Sequence, residues 1–99
     1  MKAKVEKTVN NEAIVVSLIG EAINIELFGK LNIEDIERDV LIFDLAKCDY
    51  ISSSVLGWMV GVRSSLIMQN KREPIVTGAN EKILSLFEIT GVINLFKFV

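Results

Sequence analysis

Apolar residues along the 99-residue chain fall into short β-branched runs and into longer stretches with helical spacing. Strand-like runs occur at 3–9 and 13–19, and the Asn10-Asn11 pair between them predicts a turn that joins two antiparallel strands. A third run, 40–45, is apolar on both faces, which is typical of a strand covered on two sides in a parallel sheet. Shorter strands are predicted at 75–77 and 92–99, and Gly20 is expected to end the second strand.

Helical spacing marks the rest of the chain. One helix is predicted from the serines at 52–54 to about Asn70, with apolar residues that are mostly core. Another is predicted from Glu81 to Thr90, with Asn80 as its N-cap and Gly91 in the left-handed position after its end. The stretch 23–37 fits a helix, and its first part, 23–28, also fits a strand; we favour the helix.

The order of these elements predicts the fold class. A strand, helix, strand, helix, strand succession in the last 60 residues requires parallel strands with right-handed crossovers. We therefore expect a single α/β domain over residues 1–99. It would contain a mixed, mostly parallel sheet of about five strands, an antiparallel N-terminal edge strand and about three helices.

Composition and charge exclude several kinds of chemistry. Hydrophobic residues make up 51% of the chain, and the formal net charge of −2 argues against direct nucleic-acid binding. There is no histidine, so Ser-His-Asp catalysis and histidine-ligated metal sites are excluded, and the single cysteine, Cys48, is expected to act as a small apolar residue. Asp44 and Asp49 are too few for a convincing metal site, and Asp44 is expected to bind nearby backbone N–H groups instead. We expect no enzyme activity, no cofactor, no membrane insertion and a cytoplasmic location.

Three consecutive serines, Ser52, Ser53 and Ser54, lie where a buried strand gives way to a long helix. We call these three residues the elbow. A hydroxyl there would lie outside the core at the positive end of a helix dipole, where a phosphoryl group is tolerated. Serine is also simply a favoured N-cap, and that role alone would explain the run.

Small residues also recur along the predicted helix that follows the elbow. Ser54, Gly57, Gly61 and Ser65 have the spacing of one helical stripe, with Trp58 beside it. Such a stripe could admit a partner's helix, with Trp58 as an aromatic anchor. It could equally allow this helix to pack closely on its own sheet, which is the interpretation we favour.

The run Asp44–Leu56 resembles the phosphorylation segment of anti-sigma factor antagonists, the bacterial branch of the STAS domain family. Gly20–Asn24 is similar to the family's Gly-Glu-Leu-Asp segment, and residues 84–96 are similar to its third helix and closing strand. We expect no counterpart of the family's C-terminal helix, which would leave the sheet open to a second copy in a homodimer. Ser52 stands where the family has Asp, and Val55 stands where it has Gly.

The resemblance implies a regulatory binding protein. It would bind a serine kinase that is also an anti-sigma factor, free the sigma factor, and be switched off when that kinase phosphorylates Ser53. The expected partner-binding residues are Ser52, Ser54, Val55, Gly57, Trp58 and Gly61. Two alternatives stay open: an adaptor that is never phosphorylated, within a stressosome-like or lipid-transport assembly, and a small-ligand sensor that uses the strand ends.

Overall fold

The computed structural model describes residues 4–9, 13–22 and 40–99. Within these ranges the chain forms strands and two α-helices in an α/β order. The elements are β1 (Lys4–Val9), β2 (Ala13–Ala22), β3 (Val40–Asp44), β4 (Cys48–Ile51), α1 (Ser53–Met68), β5 (Ile75–Thr77), α2 (Glu81–Ile89), a short 3-10 helix (Ile93–Leu95) and β6 (Lys97–Phe98). The helix favoured over 23–37 and the turn at 10–11 lie outside the described residues.

The strands form one mixed sheet in the order β1-β2-β3-β5-β6. β1 runs antiparallel to β2, and every other described pair is parallel. This arrangement confirms the predicted mostly parallel sheet with an antiparallel N-terminal edge strand. Parallel pairing also brings the carboxyl ends of β3 and β5 to the same end of the sheet.

Gly20 does not end β2, as we had expected; the strand continues to Ala22. Gly20 has φ +76°, and the pairing register shifts between Gly20 and Glu21. Glycine adopts this left-handed conformation without strain, so the strand bends there and keeps its pairing. The first half of β2 therefore pairs with β3, and its last residues pair with β4, the strand that leads into the elbow.

The core lies between one face of the sheet and the two helices. Alternate residues of β2 and β3 are buried against apolar residues of α1 and α2, as their period-two pattern requires. From α1 the buried residues are Val55, Leu56, Met59, Val62 and Leu66. Ile67 is an exception among the apolar residues of α1, which we expected to be mostly core, because it is 42% exposed.

The final predicted strand, 92–99, is largely replaced by other structure. Residues 93–95 form the 3-10 helix, and only Lys97 and Phe98 pair with β5. The Val92 N–H donates to the Phe87 carbonyl oxygen (3.0 Å) and the Gly91 N–H to that of Glu88 (3.1 Å), which closes the end of α2. Phe96 is buried and packs edge-on against Phe87, with ring centroids 5.3 Å apart, so this segment fills the core instead of extending the sheet.

Candidate functional site: the elbow and the outer face of α1

The elbow is built by the N-cap of α1. Ser52 has extended backbone geometry (φ −83°, ψ 164°), and its Oγ accepts a hydrogen bond from the Val55 N–H at 3.2 Å. Its carbonyl oxygen accepts the N–H of Leu56 at 3.0 Å, which starts the helical ladder. The capping role that serine favours is therefore confirmed, and it belongs to Ser52.

Ser53 and Ser54 follow the cap as the first two residues of α1, and both are exposed. The hydroxyl of Ser53 therefore lies outside the core at the positive end of the helix dipole, as the sequence predicted. No acidic residue occurs in the first turn of α1, so no carboxylate from that turn competes with another anion for the positive end of the helix.

Val55 has no exposed surface, which corrects the expectation that it binds a partner. Its side chain belongs to the core beneath the elbow. A valine at this position leaves the helix start anchored inward while Ser53 and Ser54 face outward.

The exposed residues of α1 form a continuous outer face. Its members are Ser53, Ser54, Gly57, Gly61, Ser64, Ser65, Ile67 and Met68. We had favoured close packing of the small-residue stripe on the protein's own sheet, and that interpretation is wrong. Among the described residues nothing lies within 4 Å of a Cβ placed on Gly57 or Gly61, so the stripe faces open space.

The outer face of α1 carries no charged residue. Arg63 is the one charged residue in the sequence of α1, and its Nε donates to the Leu95 carbonyl oxygen at 3.1 Å, away from this face. By contrast, the shorter α2 exposes Glu81, Lys82 and Glu88. A surface helix with an uncharged exposed face is typical of a protein contact, since interface cores are depleted in charged residues.

Trp58 lies at the border of this face. It is half-buried, and its ring meets Phe43 edge-on with centroids 5.9 Å apart and planes at 71°. One side of the indole is thus fixed by the core. The structure brings Trp58 together with Gly57 and Gly61 on α1, as the sequence predicted.

A contact that sequence reasoning missed joins the elbow to α2. Asn80 Oδ1 accepts the Ile83 N–H at 2.9 Å, which confirms the predicted N-cap. The Nδ2 of the same side chain also donates to the carbonyl oxygens of Cys48 (3.3 Å) and Asp49 (3.0 Å) in β4. No local signal reveals these two bonds, because they depend on two segments about thirty residues apart.

Gly78 brings the start of α2 close to the elbow. Its φ is +74°, and a Cβ at this position would lie 2.7 Å from both Cα and N of Ala46 in the β3–β4 loop. The Leu45 N–H also donates to the Thr77 carbonyl oxygen at 2.8 Å. Only glycine allows this backbone approach, and Asn80 reaches β4 from there.

At the carboxyl ends of β2 and β3, the cavity that the described residues line is small for an organic ligand. The cavity lined by Ser17, Leu18, Ile19, Asp44 and Lys47 holds about 70 Å³, well below the roughly 300 Å³ of small-molecule sites. Asp44 Oδ1 accepts the Ala46 N–H at 3.0 Å, as expected, and Cys48 is buried. In the parts of the chain that the structure describes, no three His, Cys, Asp or Glu residues are grouped as metal ligands would be.

No helix in the described ranges is both long enough and apolar enough to cross a membrane.

Solved structures with the same fold include several regulators. SpoIIAA, an anti-sigma factor antagonist, in its unphosphorylated form superposes with a TM-score of 0.74 at 16% sequence identity, over 99% of this chain and 87% of the other. The phosphorylated form of the Bacillus cell fate determinant SpoIIAA gives a TM-score of 0.71 at 17% identity, over 99% of this chain and 91% of that one. An anti-sigma factor antagonist from Mycobacterium paratuberculosis gives 0.70 at 15% identity, over 98% and 85% of the two chains.

A search of curated protein sequences finds no match to this chain. The sequence does match the STAS domain over residues 4–99, which is nearly its whole length. Together with the sheet order and the serine-capped helix, this match shows that the chain belongs to the STAS domain family.

Proposed function

We propose that this protein is an anti-sigma factor antagonist. It binds a serine kinase that is also an anti-sigma factor, and phosphorylation of Ser53 releases it. The observation that carries the proposal is the exposed Ser53 hydroxyl at the edge of the uncharged outer face of α1. The anti-sigma factor antagonists that share the fold support it, since one of them has been solved in both phosphorylated and unphosphorylated forms.

The outer face of α1 suits a close contact with another protein. Gly57 and Gly61 have no side chains, and no described residue lies within 4 Å of a Cβ placed on either, so a partner's backbone can approach α1 closely. Trp58 offers a large ring already fixed on one side, which lowers the entropy lost when it is buried. Ser52 and Ser54 flank the phosphorylation site and are proposed to contact the partner with these residues.

Phosphorylation would oppose this contact through charge. A phosphoryl group on Ser53 adds about −1.5 to −2 charges. The helix N-terminus stabilises that charge in water, but an uncharged interface offers it no counter-ion. The modified protein would therefore remain folded and lose its partner.

The direct test is incubation with ATP and the serine kinase/anti-sigma factors of the same organism, read out by intact mass. We expect a mass gain of one phosphoryl group in the wild type and in Ser54→Ala, and no gain in Ser53→Ala. An unmodified wild type that still binds one of these kinases would replace the switch with a permanent adaptor.

A second test separates charge at the elbow from charge elsewhere. Ser53→Glu is expected to weaken binding to the same kinase by about tenfold or more, because it places a carboxylate in the contact. Ser85→Glu, on the exposed surface of α2, is the matched control and should bind as the wild type does. Equal losses in both variants would place the contact away from the elbow.

An adaptor without phosphorylation is the second candidate. It is favoured by Ser52 and Val55, which stand where related antagonists have Asp and Gly around the modified serine. A small-ligand sensor that uses the carboxyl ends of the strands is less well supported, since the cavity that described residues line there is only about 70 Å³. A homodimer stays a prediction.

A further inference from the structure

The side chain of Asn80 has two separable functions in the structure. Its Oδ1 is an acceptor that caps α2 through the Ile83 N–H (2.9 Å). Its Nδ2 is a donor to the carbonyl oxygens of Cys48 (3.3 Å) and Asp49 (3.0 Å) in β4. An N-cap needs only the acceptor, which Ser and Asp supply about as well as Asn. The donor group therefore acts on β4 and not on α2.

β4 is held in the core by Cys48 and Ile51 and has one neighbouring strand among the described residues. Among the described strands it pairs only with the end of β2, through Gly20, Glu21 and Ala22, and the register shifts between Gly20 and Glu21. Its second side faces the start of α2, where Asn80 supplies hydrogen bonds in place of a neighbouring strand. Ile51, the last residue of β4, directly precedes Ser52, so movement of this strand moves the cap of α1 and the Ser53 hydroxyl.

The approach of Asn80 to β4 is fixed by its own loop. Gly78 passes against Ala46 at a distance that no side chain permits, two residues before Asn80. The residues directly before these two are also joined, because the Leu45 N–H donates to the Thr77 carbonyl oxygen at 2.8 Å. The segment that leads into α2 therefore contacts the β3–β4 loop through Thr77 and Gly78, and contacts β4 itself through Asn80.

We propose that Asn80 is a positioning residue for the elbow. Its amide holds β4 in place, so the presentation of the Ser53 hydroxyl depends on the start of α2. This inference rests on the proposed function for its biological meaning, but the positioning itself can be measured without a partner.

Hydrogen exchange with two substitutions separates capping from positioning. Asn80→Asp keeps the acceptor for the Ile83 N–H and loses the donor to β4. In this variant we expect the amides of Val55 and Leu56, which report on the Ser52 cap, to exchange roughly five- to tenfold faster. The amides of Ile83 and Leu84, at the start of α2, should exchange as in the wild type. Asn80→Ala should accelerate both pairs.

Thr90→Val is the matched control. The Thr90 Oγ1 donates to the Leu86 carbonyl oxygen (2.6 Å) at the far end of α2, so its loss weakens the helix without touching β4. If Thr90→Val accelerates Val55 and Leu56 as much as Asn80→Asp does, or if Asn80→Asp leaves them unchanged, the positioning inference is wrong.

The rate of phosphate transfer distinguishes this inference from the proposed function. With a kinase that modifies the wild type, Asn80→Asp should lower kcat/KM for Ser53 by a similar factor, whereas Thr90→Val should not. If no kinase modifies the wild type, the phosphorylation switch fails. The exchange result then still decides whether Asn80 positions the elbow.

Discussion

The geometry of the elbow depends on hydrogen bonds made by a few individual polar side chains. Ser52 is half-buried and accepts the Val55 N–H, whereas Ser53 and Ser54, one and two residues later, face solvent. Serine at the cap and Asn80 at the next helix start follow from local chemistry, and both were predicted from the sequence. The amide bonds of Asn80 to β4 were not predictable, because they join residues that are 31 and 32 positions apart.

Substitutions in the elbow should show that only one of its three serines, the N-cap Ser52, contributes to stability. Ser52→Ala is expected to lower the free energy of unfolding by about 1 kcal/mol, because the Val55 N–H loses its acceptor. Ser52→Asp keeps an acceptor at the positive end of the helix and should be close to the wild type. Urea denaturation measures both. Ser54→Ala, at an exposed helical position, is the control, and a loss equal to that of Ser52→Ala would contradict the capping role.

Gly78 and Gly91 form a second matched pair, since both have φ near +75° (+74° and +77°). Gly91→Ala should cost about 1–2 kcal/mol, the usual cost of a left-handed alanine, because the space around it is open among the described residues. Gly78→Ala should cost clearly more, roughly 3 kcal/mol or above, since its Cβ would also collide with the backbone of Ala46. Chemical denaturation of the two variants measures the difference, and equal costs would show that the collision is relieved by a backbone shift.

The two α-helices differ in the side chains that they expose: the exposed face of α1 is uncharged, whereas that of α2 carries charged residues. α2 has the ordinary surface of a helix, with Ile83 and Phe87 buried and charged residues outward. The limits of α2 were predictable from this spacing of apolar and charged residues, and its two ends from Asn80 and Gly91. In α1 the exposed stripe is Gly and Ser, which are equally compatible with solvent and with close packing. The position of α1 was therefore predicted correctly from the sequence. The prediction that its small residues pack against the sheet was wrong, because they are exposed.

The glycines of α1 should cost stability and favour binding. Gly57→Ala, in open space on a helix, is expected to stabilise the fold by roughly 0.5–1 kcal/mol. The added methyl group should at the same time weaken the binding of a partner that packs on the outer face of α1. Thermal denaturation and titration with the partner measure the two effects. Gly61→Ala should behave alike, and binding that is unchanged in both variants would move the contact off this face.

Across the domain, one aromatic cluster joins both helices to the sheet, with α1 contributing Trp58, whose ring meets Phe43 of β3. Phe96 packs edge-on against Phe43 (centroids 6.4 Å apart) and against Phe87 (5.3 Å), and Phe98 meets Phe87 at 5.1 Å. The α/β class and the sheet were predictable, because the strand runs and helical stripes alternate along the chain. The structure of residues 92–96 was not, since an apolar run fits a strand and a buried loop equally well.

Removal of the central ring should affect the entire domain. Phe87→Ala is expected to lower the free energy of unfolding by about 3–5 kcal/mol, a large part of the 5–15 kcal/mol typical of a domain. Circular dichroism with denaturant measures the loss. Ile89→Ala, at a position that is 83% exposed on the same helix, should change stability by less than about 0.5 kcal/mol. Similar losses at both positions would contradict the assignment of Phe87 to the core.

The two borders of the described sheet bear on how the protein behaves at high concentration. β6 pairs through only two residues, so it offers another chain little backbone on which to add a strand. β1 is longer, but its sequence carries Lys4, Glu6 and Lys7, and charges on a border strand oppose intermolecular β-pairing. The outer face of α1 is uncharged, so protection against aggregation comes from another part of the fold, the borders of its sheet.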